Sequence, residues 1–83
     1  MTENSLQDLI EFVVKSLVDD PSQVQIRQVQ SGSNVKLELR VAKDDMGRVI
    51  GKKGRVANSI RTLLKVAAAR EGKQATLDVI DPL

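Results

Sequence analysis

From Ser5 to Val18 the apolar residues Leu6, Leu9, Ile10, Val13 and Leu17 return at helical spacing, which predicts an amphipathic helix. Ser5-Leu6-Gln7-Asp8 reads as a capping box with Asp in the place of Glu. Asp19-Asp20-Pro21 ends the run, because the residue before a proline is pushed out of the helical region. Phe12, the only aromatic residue, is assigned to packing on this helix. The period then changes. Val24 to Gln30 reads as a strand of mixed pattern and Ser31-Gly32-Ser33-Asn34 as a turn. In a second strand, Val35, Leu37, Leu39 and Val41 alternate with Lys36, Glu38 and Arg40. Such alternation buries one face and leaves the other in water, so the sheet is covered on one side and the charged residues act as solvated cross-strand partners.

Helical spacing resumes on both sides of a short polar interruption. Asp44-Asp45 precede a brief helix ending at Ile50 and are expected to cap its free N–H groups. Arg55 to Glu71 carries a core stripe of Val56, Ile60, Leu63, Leu64 and Ala67, and a second stripe of Asn58, Arg61 and Lys65. Gly72 ends this helix, and Ala75, Leu77 and Val79 alternate in a last strand before Asp81-Pro82. The order is α-β-β-α-α-β. A right-handed helical crossover returns the last strand parallel to the Val35–Val41 strand, while the hairpin is antiparallel. The expectation is one α+β domain over residues 1–83, a three-stranded mixed sheet with its helices packed on one face and no linker, repeat or low-complexity tail outside it.

The interruption is Val49-Ile50-Gly51-Lys52-Lys53-Gly54-Arg55-Val56. Gly51 is expected to close the first helix in the left-handed conformation, and Gly54 to open the second without a side chain over the backbone. The first turn of the Arg55 helix then aims unpaired N–H groups, and the positive end of its dipole, into a loop where Lys52 and Lys53 add two charges. That makes a candidate phosphate clamp. Gly47-Arg48-Val49-Ile50-Gly51-Lys52 is not a P-loop: three residues stand between the glycines where four are needed, and Lys53 replaces the magnesium-binding hydroxyl.

Ile50-Gly51-Lys52-Lys53-Gly54 resembles the GxxG loop of the KH domain, which clamps a short run of nucleotide backbone. From Leu6 to Ile80, including Val41-Ala42-Lys43 and Ile60-Arg61, the chain is similar to the small single-domain bacterial KH proteins of the KhpA family. The resemblance implies a type II KH domain that holds about four nucleotides of single-stranded RNA. It further implies an RNA chaperone or post-transcriptional regulator acting on cell shape and division, which self-associates as a homodimer or pairs with the larger KhpB (Jag-like) protein. Gly51, Lys52, Lys53 and Gly54 are the clamp residues, and Arg48, Arg55, Asn58 and Arg61 are candidates for neighbouring phosphates or base edges. Ile50 and Val56, with Ala57 and Ile60, fit either the floor of a base groove or ordinary core packing.

Charge sharpens this picture. The net +2 divides into −3 over residues 1–45, +7 over 46–73 and −2 over 74–83, so the basic residues concentrate around the loop, as a polyanion site requires. With no Cys and no His, a disulfide framework, a Cys/His zinc site and a nucleophile–base pair are all excluded, and no cofactor is expected. Asp19-Asp20 and Asp44-Asp45 stand at element boundaries, where capping and turn roles outweigh catalysis, so no enzyme is expected. A single Phe speaks against RNA-recognition motifs and OB-folds, which present several aromatic platforms. With no leader-like start and no run long enough to span a bilayer, the expectation is a cytoplasmic protein without membrane insertion. Val66 and Ala69, away from the main core stripe of the Arg55 helix, are the candidate patch for the expected dimer. Two other readings stay open: a KH-fold protein-interaction or dimerisation module, and a binder of single-stranded DNA or of the ribosome.

Overall fold

The architecture follows from the strand with the strictest alternation. In the computed structural model, which describes residues 5–81, this strand is β2 (Asn34–Arg40), and it lies between β1 (Gln25–Ser31) and β3 (Gln74–Val79). β1 pairs with it antiparallel and β3 parallel, with Leu37 opposite Gln28 on one side and Leu77 on the other. Val35, Leu37 and Leu39 turn to the covered face with Ala75 and Leu77. On the open face Lys36 Nζ lies 3.4 Å from Asp78 and 3.9 Å from Glu38, and Arg27 lies 3.9 Å from Glu38, as expected of solvated cross-strand partners. Pairs this exposed contribute at most about 1 kcal/mol each.

The covered face receives α1 (Ser5–Leu17) and α3 (Arg55–Arg70), with the short α2 (Met46–Ile50) contributing Val49. This is the expected α+β, type II KH arrangement with helices on one face. Three 3-10 turns, Pro21–Gln23, Lys43–Asp45 and Lys52–Gly54, complete the described chain. Pro82 of the expected Asp81-Pro82 boundary lies outside the described residues. α3 ends as Gly72 predicts: Lys73 N–H donates to Ala68 O and Gly72 N–H to Ala69 O, the paired bonds of a Schellman motif.

Three expectations about packing are corrected. α1 buries Leu6, Ile10 and Val14 while Leu9 and Val13 are only partly buried against the core, so its core stripe is rotated from the predicted one toward Val14; Leu17 sits at the margin and Phe12 is 73% exposed. Phe12 is about 200° around the helix from Ile10, beyond the reach of the sheet. On α3 the core residues are Ala57, Ile60, Leu64 and Ala68, with Val56 and Ala67 half-buried and Leu63 48% exposed. Two alanines facing the sheet let this helix approach closely, and Leu63 is left on its flank. Ser5 is itself helical, and its hydroxyl donates to Glu71 Oε2 at 2.8 Å instead of closing a capping box.

Both outer strands have a main-chain carbonyl taken up by a helix side chain. Gln7 Nε2 donates to Ile26 O of β1 at 3.3 Å, and Arg61 Nε donates to Leu77 O of β3 at 3.2 Å.

Candidate nucleic-acid interface

The loop between α2 and α3 is built by hydrogen bonds that wind it tightly. Gly51 N–H donates to Gly47 O at 2.8 Å and ends α2. Gly54 N–H then donates to Gly51 O at 3.2 Å, and Arg55 N–H to Lys52 O. Among the described residues the N–H groups of Lys52 and Lys53 have no backbone acceptor, and no side chain caps the start of α3. The open donors and the dipole of a 16-residue helix therefore meet at one place.

The two glycines serve the loop in different ways, and not in the order expected. Gly51 has φ 76° and ψ 174°, a region essentially closed to other residues, rather than the left-handed helical conformation. A Cβ on Gly51 would collide with the Val56 side chain and lie 2.9 Å from Val56 N. The left-handed conformation comes at Gly54, φ 73° and ψ 14°, where a Cβ would meet nothing within 4 Å. Lys53, φ 58° and ψ 25°, shares it and is the single non-glycine residue at positive φ among those described. For a lysine this backbone costs about 1–2 kcal/mol. Lys52, Lys53 and Arg55 are all exposed.

Arg48, one turn before the loop, is committed elsewhere. Its Nη2 lies 2.8 Å from Asp19 Oδ2 and its Nε 3.5 Å from Asp45 Oδ1. Asp45 is 2% exposed, and its two carboxylate oxygens accept the Asp19 and Asp20 N–H groups, each at 3.0 Å. The expected cap on α2 is therefore absent: no side chain bonds its first N–H groups. The carboxylate instead turns back and fastens α2, and with it the loop, to the chain leaving α1. Its partners are 25 and 26 residues away, so no local sequence signal marks them. Asp45→Ala is expected to lower stability by about 1–3 kcal/mol, since two part-buried backbone donors and a half-exposed guanidinium lose their partner, and Asp45→Asn by about half as much. Urea unfolding checks the order. Next to this joint the Ser22 hydroxyl and the Gln23 amide donate to the Asp20 carboxylate, at 2.6 and 2.9 Å, and hold its pKa below the ordinary aspartate value.

Asn58 and Arg61 come together, as their spacing predicts. Arg61 Nη1 donates to Asn58 Oδ1 at 3.3 Å while its Nε holds Leu77 O, so both residues lie on the seam where α3 meets the outer edge of β3. Of the apolar residues flanking the loop, Ile50 is 37% exposed and Val56 half-buried, whereas Ala57 and Ile60 belong to the core. On the opposite flank of α3 an apolar cleft of about 300 Å³ opens against α1, lined by Val13, Leu17, Val56, Ile60 and Leu63 and bordered by Arg55 and Ser59. Among the described residues there is no cluster suited to a metal ion, and no helix is long and apolar enough to cross a membrane.

The family model for the KhpA/KhpB KH domain matches residues 7–79. A protein named RNA-binding protein KhpA from Clostridium acetobutylicum is 47% identical over 75 residues, which are 90% of this chain and all of that relative. Proteins of the same name from Clostridium perfringens and Borreliella burgdorferi are 44% and 43% identical, the first matched over its whole length and the second over 90% of it. In a crystal structure of Aquifex aeolicus Era bound to GDP and AlF4⁻, a segment overlays 90% of this chain with a TM-score of 0.64 at 15% identity, a likeness of fold. The chain spans 29% of the length of that Era chain.

Proposed function

Since the chain belongs to the KhpA/KhpB KH-domain family, we propose that it is a non-enzymatic RNA-binding protein whose Gly51–Gly54 loop grips about four nucleotides of a single strand. The observation that carries this reading is the backbone of Lys53. A glycine would adopt that conformation without strain, so a lysine held there at a cost supports a role for its ammonium group. In this reading the free N–H groups of Lys52 and Lys53 meet phosphate oxygens, and the two ammonium groups and Arg55 neutralise them. Ile50 and Val56 offer an apolar edge to the adjoining base. Asn58 and Arg61 present polar groups to the strand as it passes, and Arg48 braces the loop through Asp45. The Proposed role in the cell is that of a cytoplasmic RNA chaperone or post-transcriptional regulator.

Filter binding with single-stranded RNA, single-stranded DNA and duplex RNA tests the reading. RNA single strands are expected to bind best, with a log-log salt slope of about −1.4 to −2.1 for two to three neutralised phosphates. Equal affinity for duplex RNA, or a slope of about −5, would overturn the local clamp.

One loop gives little affinity, and two loops on one RNA raise avidity by about 10² to 10⁴ where geometry lets both engage. The reading therefore includes a dimer, with a second copy or with a KhpB-type (Jag-like) protein. Leu63 and Val66 stand one turn apart on α3 and are exposed, and the exposed Leu17 of α1 lines the same cleft as Leu63, which makes this helical flank the apolar surface a partner would cover. Ala69 instead lines a cleft with β3. Sedimentation equilibrium is expected to show dimer at micromolar concentration and monomer for Leu63→Asp; a wild-type monomer throughout, with and without the KhpB-type protein, rejects the dimer.

A further inference from the structure

α2 has five residues, too few for a helix to hold its own direction. Its direction is set chiefly at two points. Val49 is fully buried in the core, and four residues earlier, on the same face, Asp45 is buried as well. The two Asp45 oxygens accept the Asp19 and Asp20 N–H groups, and Arg48 closes the far side by reaching both Asp45 Oδ1 and Asp19 Oδ2. The loop leaves α2 at Gly51, packed so closely on Val56 of α3 that no Cβ fits between them. A swing of α2 about Val49 would therefore shift Gly51 against Val56 and carry the Lys52 and Lys53 N–H groups away from the axis of α3.

We propose that Asp45 is a positioning residue for RNA binding: its carboxylate, although negative and close to a phosphate site, raises affinity by holding α2 where the loop donors line up with the dipole of α3. The inference rests on the RNA-binding reading above and assigns the geometry of its loop to a buried residue. Charge alone forecasts the opposite. Replacing an aspartate near a polyanion by a neutral residue removes repulsion and strengthens binding. The joint forecasts weaker binding, because Asn has one acceptor oxygen where two N–H groups need two, and its amide turns donors toward the second. Asp44 supplies the comparison: it carries the same charge next door, but it is exposed and stands outside the joint.

The test titrates the full chain and three variants with an unstructured, random-sequence single-stranded RNA, with circular dichroism to show that each variant is folded. Asp45→Asn is expected to bind about 3- to 10-fold more weakly than the wild type, with an unchanged salt slope because no phosphate contact is lost. Asp44→Asn is expected to bind as tightly as the wild type or up to about 2-fold more tightly. Arg48→Lys keeps the charge at a half-exposed position but cannot span Asp19 and Asp45 together, so a loss of about 2- to 5-fold is expected without harm to the fold. A folded Asp45→Asn that binds as tightly as the wild type, or an equal loss at Asp44→Asn, overturns the positioning role and leaves the loop reading standing. Should Asp45→Asn fail to fold, Arg48→Lys at wild-type affinity overturns it in the same way. A wild-type protein that binds no RNA overturns both.

Discussion

Lys52→Asp combined with Lys53→Asp is expected to weaken RNA binding by at least about 100-fold, because two attractive charges beside the phosphates become two repulsive ones. The fold should be unaffected. Both side chains are exposed, Asp tolerates the left-handed backbone at position 53, and a carboxylate suits the start of α3, so stability should change by less than about 0.5 kcal/mol. Electrophoretic mobility shift and urea unfolding, run on the same samples, separate the two effects. A double variant that binds as tightly as the wild type would place the RNA elsewhere. Lys53→Gly is the companion: it relieves the strained backbone and should hold or slightly raise stability while binding weakens. If Lys53→Gly binds unchanged, the strain at Lys53 has no bearing on function.

Gly51→Ala is expected to cost about 2–4 kcal/mol, since a methyl group there adds steric conflict with Val56 to a backbone that only glycine readily adopts. In an 83-residue domain with a stability of about 4–12 kcal/mol, that is a large share. Gly54→Ala should cost about 1–2 kcal/mol, because the conformation is strained and the space is open. Equal costs for the two, measured by urea unfolding, would mean that Val56 moves aside and that the close approach at Gly51 constrains nothing.

The elements legible in the sequence are those whose signal is local. The alternation of Val35, Leu37 and Leu39 gave β2 and its buried face, Gly72 gave the end of α3, and the two glycines located the loop. What was not legible depends on partners distant in sequence. α1 offers apolar residues around more than half its circumference, and only the sheet it meets decides that Val14 is inside and Phe12 outside. The carboxylate of Asp45 looks like a helix cap until the chain after α1 is seen beside it, and Arg48 looks like a ligand until Asp19 is. At Arg61 the residue type and the face were evident from spacing, but its acceptor, the Leu77 carbonyl, exists only once β3 is an outer strand.

That carbonyl and its counterpart on β1 bear on how crowded copies of this protein behave. A three-stranded sheet ends in two rows of main-chain groups, each a template for a strand from another molecule. Gln7 occupies the β1 row at Ile26 and Arg61 the β3 row at Leu77, so an incoming strand must first dislodge a side chain anchored on a helix. The sheet of this small protein is thus guarded at one point on each edge against fibre-like growth.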